Sequence, residues 1–376
     1  GLITSLASKK LKDIMDRQAI ISTVVRIIQL LIFLYLFLFS INLMGASLKM
    51  FGKGFAETMI ASTSVPLVGL FIGILATSLI QSSSSTTAIV VGMVGGDVLT
   101  VSNAIPIIMG ANIGTSVTNT LVSLAHINRS VEFRRSFSAS TVHDFFNLLA
   151  VLVIFPLQSF TNFLGTAATF MGDQFQSVGG LQLFNPVKAV TKPLVNLLVQ
   201  WIGQHPWILL ALSFILLLVS LKFMVDVLRV LLVKRAEVWF DRVLFRTAIR
   251  AFVVGLLLTI LAQSSSITTS LIIPMAGAGI LTLEQIFPYT LGANVGTTFT
   301  ALLASLATGS PNAVVVAFVH LLFNITGIAF WWPLRKLPLF LARRVSDFAV
   351  RNRIFPFAYI ITVFFLVPLA VILLLR

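Results

Sequence analysis

The chain has 376 residues, of which 57% are hydrophobic and only 10% are charged, and its mean hydropathy is +1.02. A soluble protein of this length needs a far more polar surface, so the composition predicts an integral membrane protein. The chain contains no cysteine, which excludes disulfide bonds, thiol catalysis and iron–sulfur clusters.

The formal net charge of +14 would indicate a nucleic-acid partner in a soluble protein. Here the basic residues stand in short loops between apolar stretches, where lysine and arginine mark the cytoplasmic side of a membrane. We therefore predict a multi-pass protein of the cell membrane, plasma or inner, in contact with the lipid bilayer. Its N-terminus is expected in the cytoplasm, and no nucleic-acid partner is expected. The sequence does not predict an oligomeric state.

The N-terminal segment, residues 1–26, is predicted to be cytoplasmic and to contain an amphipathic helix on the membrane surface. Leu2, Leu6 and Ile14 stand on its apolar side, against the lysines between them. Residues 27–64 then supply the first transmembrane helix and its connection, because this stretch opens with an apolar run long enough to cross a bilayer.

Two copies of one unit dominate the rest of the chain. The run "QSSSSTTA" at 81–88 returns as "QSSSITTS" at 263–270. A shift of 182 positions aligns residues 81–119 with residues 263–301 at 17 identities in 39 positions. This agreement indicates an internal duplication.

The predicted domain boundaries follow from the duplication. Repeat 1 covers residues 65–157, and repeat 2 covers residues 247–334. Residues 158–246 between them hold an external loop at 158–205, a linking transmembrane helix and a cytoplasmic loop. Residues 335–376 hold another cytoplasmic loop and the final transmembrane helix. The loop charges put the start of repeat 1 outside and the start of repeat 2 inside, which predicts inverted topology.

Each repeat places polar residues at membrane depth. The apolar arms beside the Gln-Ser-Ser-Ser runs are too short for two crossings, which favours a hairpin that enters and leaves on one side. The runs "GANIGTSVT" at 110–118 and "GANVGTTFT" at 292–300 put glycines inside a span, which favours an unwound break. The predicted fold class is an all-α polytopic membrane protein with two inverted-topology repeats, each with a re-entrant helical hairpin and a broken transmembrane helix.

The motifs carry amide and hydroxyl oxygens, which are neutral ligands that suit a monovalent hard cation. The serine-rich turns also begin helices, where free N–H groups and the helix dipole attract an anion. No lysine or arginine falls in the motif regions, so a bound oxyanion would need co-bound cations for charge balance. These points favour sodium-coupled anion symport. For any single serine, close helix packing is the alternative.

The twin "QSSS" motifs, the twin "GAN[IV]GT" segments and "EFRRSF…TVHDFFN" at 132–147 resemble the type II sodium-dependent phosphate cotransporter family, in a prokaryotic-type form. The resemblance covers roughly residues 65–335. It implies sodium-driven import of inorganic phosphate by an alternating-access, elevator-like mechanism. Inorganic phosphate and co-transported Na⁺ are the expected partners, and neither catalytic residues nor an organic cofactor are expected.

The resemblance also implies site residues. The sodium ligands come from the second hairpin and the second GAN helix, with counterparts in repeat 1: Gln263, Ser264, Thr297, Thr300, Thr115 and Thr118. Phosphate is expected between the tips, at or near Gln81, Ser82, Ser83, Ser84, Asn112, Ser265, Ser266 and Asn294. Behind these ligands stand His143, Asp144, Asn147, His320 and Asn324. This last group either orients the site or joins neighbouring helices.

Other functions stay open from the residues alone. The same architecture suits another oxyanion, such as sulfate, or a carboxylate, because the motif chemistry separates such anions poorly. An ion channel is a more distant alternative, since re-entrant loops also build ion filters, whereas inverted repeats favour alternating access. An enzyme is not predicted, because no histidine–aspartate pair stands beside the serine runs and no metal-ligand spacing appears.

Overall fold

The computed structural model describes residues 2–180, 185–202, 205–239 and 245–375. Within these residues every regular element is helical, so the predicted all-α class is confirmed. In chain order the helices are α1 (Leu2–Met50), α2 (Lys53–Ser62), α3 (Pro66–Ile80), α4 (Ser83–Gly95), α5 (Val101–Ser123), α6 (Ser130–Thr161), α7 (Phe163–Ser177), α8 (Asn185–Ile202), α9 (Pro206–Trp239), α10 (Ala248–Ala262), α11 (Ser265–Gly277), α12 (Leu283–Thr308), α13 (Pro311–Trp331), α14 (Lys336–Arg351), α15 (Phe355–Ile361) and α16 (Val367–Leu375).

Six stretches of the described residues are long and apolar enough to cross a membrane. They lie in α1, α5, α6, α9, α13 and the stretch Phe355–Leu375, which joins α15 and α16 through a π-helical turn. A seventh span results if α2 and α3 are counted together, although they are bent by 95° at their junction. The chain is therefore a multi-pass membrane protein by the length and composition of its helices.

Three segments differ from the sequence expectation. The N-terminal segment is not a separate helix, because α1 continues without interruption into the first span. The side chains of residues 2–17 lie outside the described residues, and with them the predicted amphipathic face. The external loop expected at 158–205 contains α7 and α8, and the loop expected after residue 335 contains α14. The domain boundaries themselves stay a prediction.

The two Gln-Ser-Ser-Ser motifs form the same local structure. Gln81 ends α3 and Gln263 ends α10, both in the left-handed conformation with φ of 57° and 52°. The next residue caps the following helix, since the side-chain oxygen of Ser82 accepts from the Ser85 N–H and that of Ser264 from the Ile267 N–H. The motif therefore specifies a sharp stop and restart between two helices.

The contacts of α5 show that α3 and α4 form a re-entrant hairpin. Near the start of α5, Asn103 Nδ2 donates to the carbonyl of Ile60 (3.0 Å), just before α3. Near its end, Thr118 Oγ1 donates to the Gln81 carbonyl (3.5 Å), just after α3. Helices α3 and α5 therefore run side by side in the same direction, and α4 must return between them.

The second repeat has the same geometry. Gln285 Nε2, near the start of α12, donates to the Phe245 carbonyl before α10 (3.1 Å). Thr300 Oγ1, further along α12, donates to Oε1 of Gln263 at the end of α10 (2.8 Å). Helices α10 and α12 are thus parallel, and α11 returns between them, so both predicted hairpins are confirmed.

The predicted break in the GAN helices is wrong. Both α5 and α12 run as uninterrupted α-helices through these motifs. The glycines permit close helix approach instead. A Cβ at Gly110 would lie 1.9 Å from the Leu70 carbonyl oxygen, and one at Gly292 would lie 1.9 Å from the Phe252 carbonyl oxygen. The glycines therefore bring α5 against α3 and α12 against α10.

The two repeats run in opposite directions. The end of α4 lies against the end of α12, where a Cβ at Gly95 would be 2.7 Å from the Thr308 Cβ. The end of α11 lies against the residues that follow α5, where a Cβ at Gly277 would be 3.5 Å from the His126 ring. Since α4 ends where α5 begins, and α11 ends where α12 begins, α5 and α12 are antiparallel. The predicted inversion is confirmed.

Helices outside the repeats pack along them. Helix α1 contacts α9, for example through the stacked rings of Phe33 and Phe223, whose centroids are 5.3 Å apart. Helix α14 packs on α6, where the buried hydroxyl of Ser138 donates to that of Ser346 (2.8 Å).

We expect Gly110→Ala to destabilise the protein, because the new methyl group would meet the Leu70 carbonyl. Overpacking of this kind costs about 1–3 kcal/mol. Gly45→Ala is the matched control, since a Cβ at this helical position of α1 meets nothing within 4 Å. The melting temperature in detergent should fall for Gly110→Ala and should hold or rise for Gly45→Ala. Equal melting temperatures for both variants would contradict the close contact.

Candidate functional site

The two hairpin tips meet in one cavity of about 610 Å³. Each tip contributes its glutamine–serine turn and the first turn of the returning helix, and α5 and α9 complete the wall. The polar lining consists of Gln81, Ser82, Ser84, Ser85, Thr118, Lys222, Asp226, Gln263, Ser264, Ser266 and Ser270. Polar groups from both repeats therefore surround one volume.

Half of the predicted ligand residues line this cavity. They are Gln81, Ser82, Ser84, Thr118, Gln263, Ser264 and Ser266. The other half are buried and do not line it: Ser83, Asn112, Thr115, Ser265, Asn294, Thr297 and Thr300. Their assignment as phosphate or sodium ligands stays a prediction.

The second tip holds its glutamine in a fixed position. Gln263 is only 7% exposed, its Oε1 accepts from Thr300 Oγ1 (2.8 Å), and its Nε2 donates to the Ile260 carbonyl (2.5 Å). A side-chain carbonyl and a hydroxyl thus stand side by side on α10 and α12. Two adjacent neutral oxygens are the beginning of a site for a monovalent cation.

The first tip is organised more loosely. Gln81 is exposed, and Thr118 reaches only its backbone carbonyl, at 3.5 Å. The remaining two predicted threonines bond within their own helices, Thr115 to the Ala111 carbonyl and Thr297 to the Ala293 carbonyl, both at 3.1 Å. The repeats are therefore related in sequence but unequal in the oxygens they assemble.

Two threonines near the tips were not predicted from the sequence. Thr77 and Thr259 are fully buried, stand one turn before the tip glutamines, and have hydroxyls without a partner among the described residues. Each packs against a GAN-motif glycine, Gly114 or Gly296. A buried hydroxyl without a hydrogen-bond partner lowers stability, and its recurrence in both repeats indicates that the two hydroxyls have the same role. The 182-residue shift that relates the repeats also pairs these two residues.

Lys222 and Asp226 of α9 also line the cavity, and the sequence analysis missed both. They stand outside the duplicated motifs, so the expectation that no protein cation lies beside the site is wrong. Among the described residues neither side chain takes part in an ion pair. The cavity wall therefore offers one ammonium group and one carboxylate, whose formal charges cancel.

A buried chain of amides and an imidazole joins the two repeats. His143 Nε2 lies 2.6 Å from Asn294 Oδ1, and Asn294 Nδ2 donates to Asn147 Oδ1 (2.8 Å). On the other side of the ring, Asn119 Nδ2 lies 3.3 Å from His143 Nδ1, and Thr269 Oγ1 donates to Asn119 Oδ1 (2.9 Å). Because Asn119 donates to Nδ1, the proton of the neutral ring belongs on Nε2.

Asp144 is a fully buried carboxylate next to this chain. Its Oδ2 accepts from the hydroxyls of Tyr359 (3.0 Å) and Thr120 (3.4 Å). Its Oδ1 has no partner among the described residues. A buried carboxylate with a free oxygen is a strong local attraction for a cation.

The corresponding histidine of repeat 2 has no such network. His320 is fully buried, and neither ring nitrogen has a partner among the described residues. Asn324 Nδ2 donates to the His320 carbonyl (3.0 Å), and Asn324 Oδ1 has no partner in the part of the chain that the structure describes. At the position of Asn119, repeat 2 carries Ala301, which has no side-chain donor. This pair therefore retains the sequence pattern without its hydrogen bonds.

Comparison with known proteins identifies related chains. The family model described as Na⁺/Pi-cotransporter matches residues 36–183 and 216–338. The chain is 33% identical to sodium-dependent phosphate transport protein 2B of Homo sapiens over 445 residues, which cover 92% of this chain and 64% of the relative.

Similar values hold for two other relatives. The 2B protein of Pongo abelii is 33% identical over 92% of this chain and 65% of its own length. The 2A protein of Ovis aries is 33% identical over 92% of this chain and 67% of its own length. The chain thus spans about two thirds of the length of these curated relatives. No solved structure matches the chain.

We expect Asn294→Ala to lower stability, because it leaves His143 Nε2 and Asn147 Oδ1 unpaired in a buried site. Each unsatisfied buried group costs about 1–3 kcal/mol. Asn312→Ala, at an exposed position of α13, is the control. Thermal unfolding in detergent should show a loss of several degrees for Asn294→Ala alone. An unchanged transition would mean that the chain of hydrogen bonds does not stabilise the fold.

Proposed function

The chain belongs to the Na⁺/Pi-cotransporter family, and from that premise we propose that it is a sodium-coupled symporter that imports inorganic phosphate. The observation that carries the proposal is the single cavity in which both Gln-Ser-Ser-Ser tips meet. An anion and its accompanying cations need such a volume, with helix N-termini and neutral oxygens around it. The names of the relatives, sodium-dependent phosphate transport proteins, support the same function.

The tips suit a phosphate anion. Helices α4 and α11 both begin at the cavity, so their first N–H groups and serine hydroxyls are available as donors. The cavity serines Ser82, Ser84 and Ser266, with Gln81, are the proposed phosphate contacts. Ser83, Ser265, Asn112 and Asn294 are proposed to support them from buried positions. Lys222 adds the one ammonium group of the described wall.

Sodium completes the charge balance. Lys222 and Asp226 cancel each other formally, so a phosphate dianion still requires cations from solution. The paired oxygens of Gln263 and Thr300 supply the first sodium site, together with Ser264 and, as buried hydroxyls nearby, Thr297 and Thr259. In repeat 1 the equivalent contribution comes from Thr115 and Thr118. Asp144 is proposed as a further attraction for cations behind the tips.

Inverted repeats support an alternating-access mechanism, because two units of opposite orientation allow inward-facing and outward-facing states of similar structure. We propose an elevator-like movement in the cell membrane with the N-terminus in the cytoplasm. His143 and Asn147 hold the repeats together beside the site, and His320 and Asn324 occupy the equivalent place in repeat 2. Phosphate and sodium are the transported species of this proposal, which requires no catalytic step.

The proposal is tested by radiolabelled phosphate uptake into liposomes that contain the purified chain. An inward sodium gradient should drive phosphate above equilibrium, and an equal potassium gradient should not. Sulfate, arsenate and a carboxylate are added in parallel as competitors, since hydroxyl and N–H donors also suit other oxyanions. Strong inhibition by sulfate with weak phosphate uptake would reassign the anion. Absence of sodium-dependent uptake of every anion, in a folded preparation, would refute the function.

We expect Thr300→Val to raise the sodium concentration for half-maximal uptake about tenfold, which corresponds to a lost contact of about 1.4 kcal/mol. The phosphate requirement should change much less. Thr118→Val is the matched variant in repeat 1 and should have the smaller effect, because the Thr118 hydroxyl donates to the Gln81 backbone carbonyl at 3.5 Å and not to a side-chain oxygen. If the two substitutions act equally, the second tip is not the stronger cation site.

Lys222→Gln should raise the KM for phosphate several-fold and leave the sodium requirement nearly unchanged, because only the anion gains from the ammonium group. Lys192→Gln is the control, since Lys192 is exposed and does not line the tip cavity. Initial uptake rates over a range of phosphate concentrations supply the measurement. A KM that stays at the wild-type value would remove Lys222 from the phosphate site.

A further inference from the structure

A second cavity, of about 520 Å³, lies away from the hairpin tips. It is bounded by the start of α6 in repeat 1, by the connection from α11 to α12 in repeat 2, and by α14. Three arginines line it: Arg134, Arg135 and Arg343. The transport site described above uses none of its residues.

Two of these arginines are neutralised. Arg134 Nε lies 2.5 Å from Asp347 Oδ1, and Arg343 forms an ion pair with Glu284. Arg135 differs, because no hydrogen bond or ion pair joins it to any of the described residues. The cavity therefore presents one guanidinium group without a charged partner among the described residues, together with two arginines that form ion pairs.

The connection between the hairpin and the following helix carries a carboxylate in repeat 1 that repeat 2 lacks. The connection between α4 and α5 carries Asp97 in the left-handed conformation, with φ of 60°, and Asp97 pairs with Lys49 at 3.3 Å. The 182-residue shift puts Gly279 at the same position of the α11–α12 connection, with φ of 75°. A Cβ at Gly279 would lie 2.5 Å from Arg135 Nη1. The second connection thus meets a basic side chain as the first does, but without the carboxylate.

The surroundings indicate which anion would fit this cavity. Val131 lines the cavity and is 63% exposed, and Ile280, beside Gly279, is 60% exposed. Basic side chains next to exposed apolar residues, at the ends of membrane helices, are where anionic headgroups bind. A guanidinium group with free donors matches two phosphate oxygens at once.

We propose that the Arg135 cavity binds a phosphate-bearing anion, either the headgroup of an anionic phospholipid or free inorganic phosphate. The anion takes the place that Asp97 fills in repeat 1. Since Arg135 belongs to α6 and Gly279 to the α11–α12 connection, occupancy joins repeat 1 to repeat 2 and stabilises this arrangement of the two. The inference is independent of the proposed transport function.

The test measures thermal stability of the full chain in detergent, in potassium buffer without sodium, so that the transport site lacks its cation. Short-chain phosphatidylglycerol, short-chain phosphatidylcholine and inorganic phosphate are titrated separately. We expect phosphatidylglycerol or phosphate, but not phosphatidylcholine, to raise the melting temperature of the wild type. The additive that acts identifies the source of the phosphate group.

Three variants decide the site. Arg135→Gln removes the guanidinium group, and Gly279→Asp supplies an internal carboxylate in a conformation that Asp97 adopts in repeat 1. Both should need at least tenfold more of the active anion for half of the stabilisation. Without anion, Gly279→Asp should melt at or above the wild-type temperature, which separates site closure from misfolding. Arg250→Gln, at an exposed residue outside the cavity, should respond as the wild type does.

The proposal is overturned if neither anion stabilises the wild type. It is also overturned if Arg135→Gln and Gly279→Asp retain the full response, since the anion would then bind elsewhere. A loss of response in Arg250→Gln equal to that in Arg135→Gln would reduce the effect to general surface charge and would reject the site as well.

Discussion

A helix that ends inside a membrane leaves backbone groups without partners, where there is no water to satisfy them. Both repeats contain such an end, at Gln81 and at Gln263. The left-handed glutamine and the serine cap satisfy part of the exposed backbone. The remaining backbone groups are buried against a parallel helix. Close burial of this kind requires the glycines that α5 and α12 carry where α3 and α10 approach. The tips can present polar groups to a cavity because this packing encloses them.

The two repeats share their motifs but do not form equivalent sites. The second tip fixes its glutamine carbonyl beside the Thr300 hydroxyl, whereas Gln81 stays exposed. His143 bonds through both ring nitrogens, whereas neither ring nitrogen of His320 has a partner among the described residues. Part of this difference lies in the sequence, since repeat 2 carries Ala301 at the position that corresponds to Asn119. The two repeats of a single chain pack against different neighbouring helices, so each repeat can assemble a different set of polar contacts.

The hairpins, the inversion and the meeting of the tips were predictable because they depend on patterns that recur in the chain. The GAN helices were not, because glycine in a span indicates either an unwound turn or a close neighbour, and sequence spacing does not say which. Here the carbonyls of Leu70 and Phe252 lie so close to the glycines that the glycines must serve close helix packing. Lys222 and Asp226 were missed for a different reason. They belong to α9, outside the segments 81–119 and 263–301 in which the repeats align, so the recurring motifs gave no indication of them.

The glycine contacts also limit how the molecule can move. Carbonyl oxygens of α3 and α10 occupy the space that a side chain at Gly110 or Gly292 would need. Sliding of α3 along α5, or of α10 along α12, would therefore bring a larger side chain against these carbonyls unless another glycine took the place of the first. Each hairpin and its parallel helix therefore form one rigid piece, and the chain of amides through His143 fastens the two pieces together. The two hairpins and their parallel helices thus make up one stiff centre that carries both tips, so the movement proposed above would have to carry the two tips together.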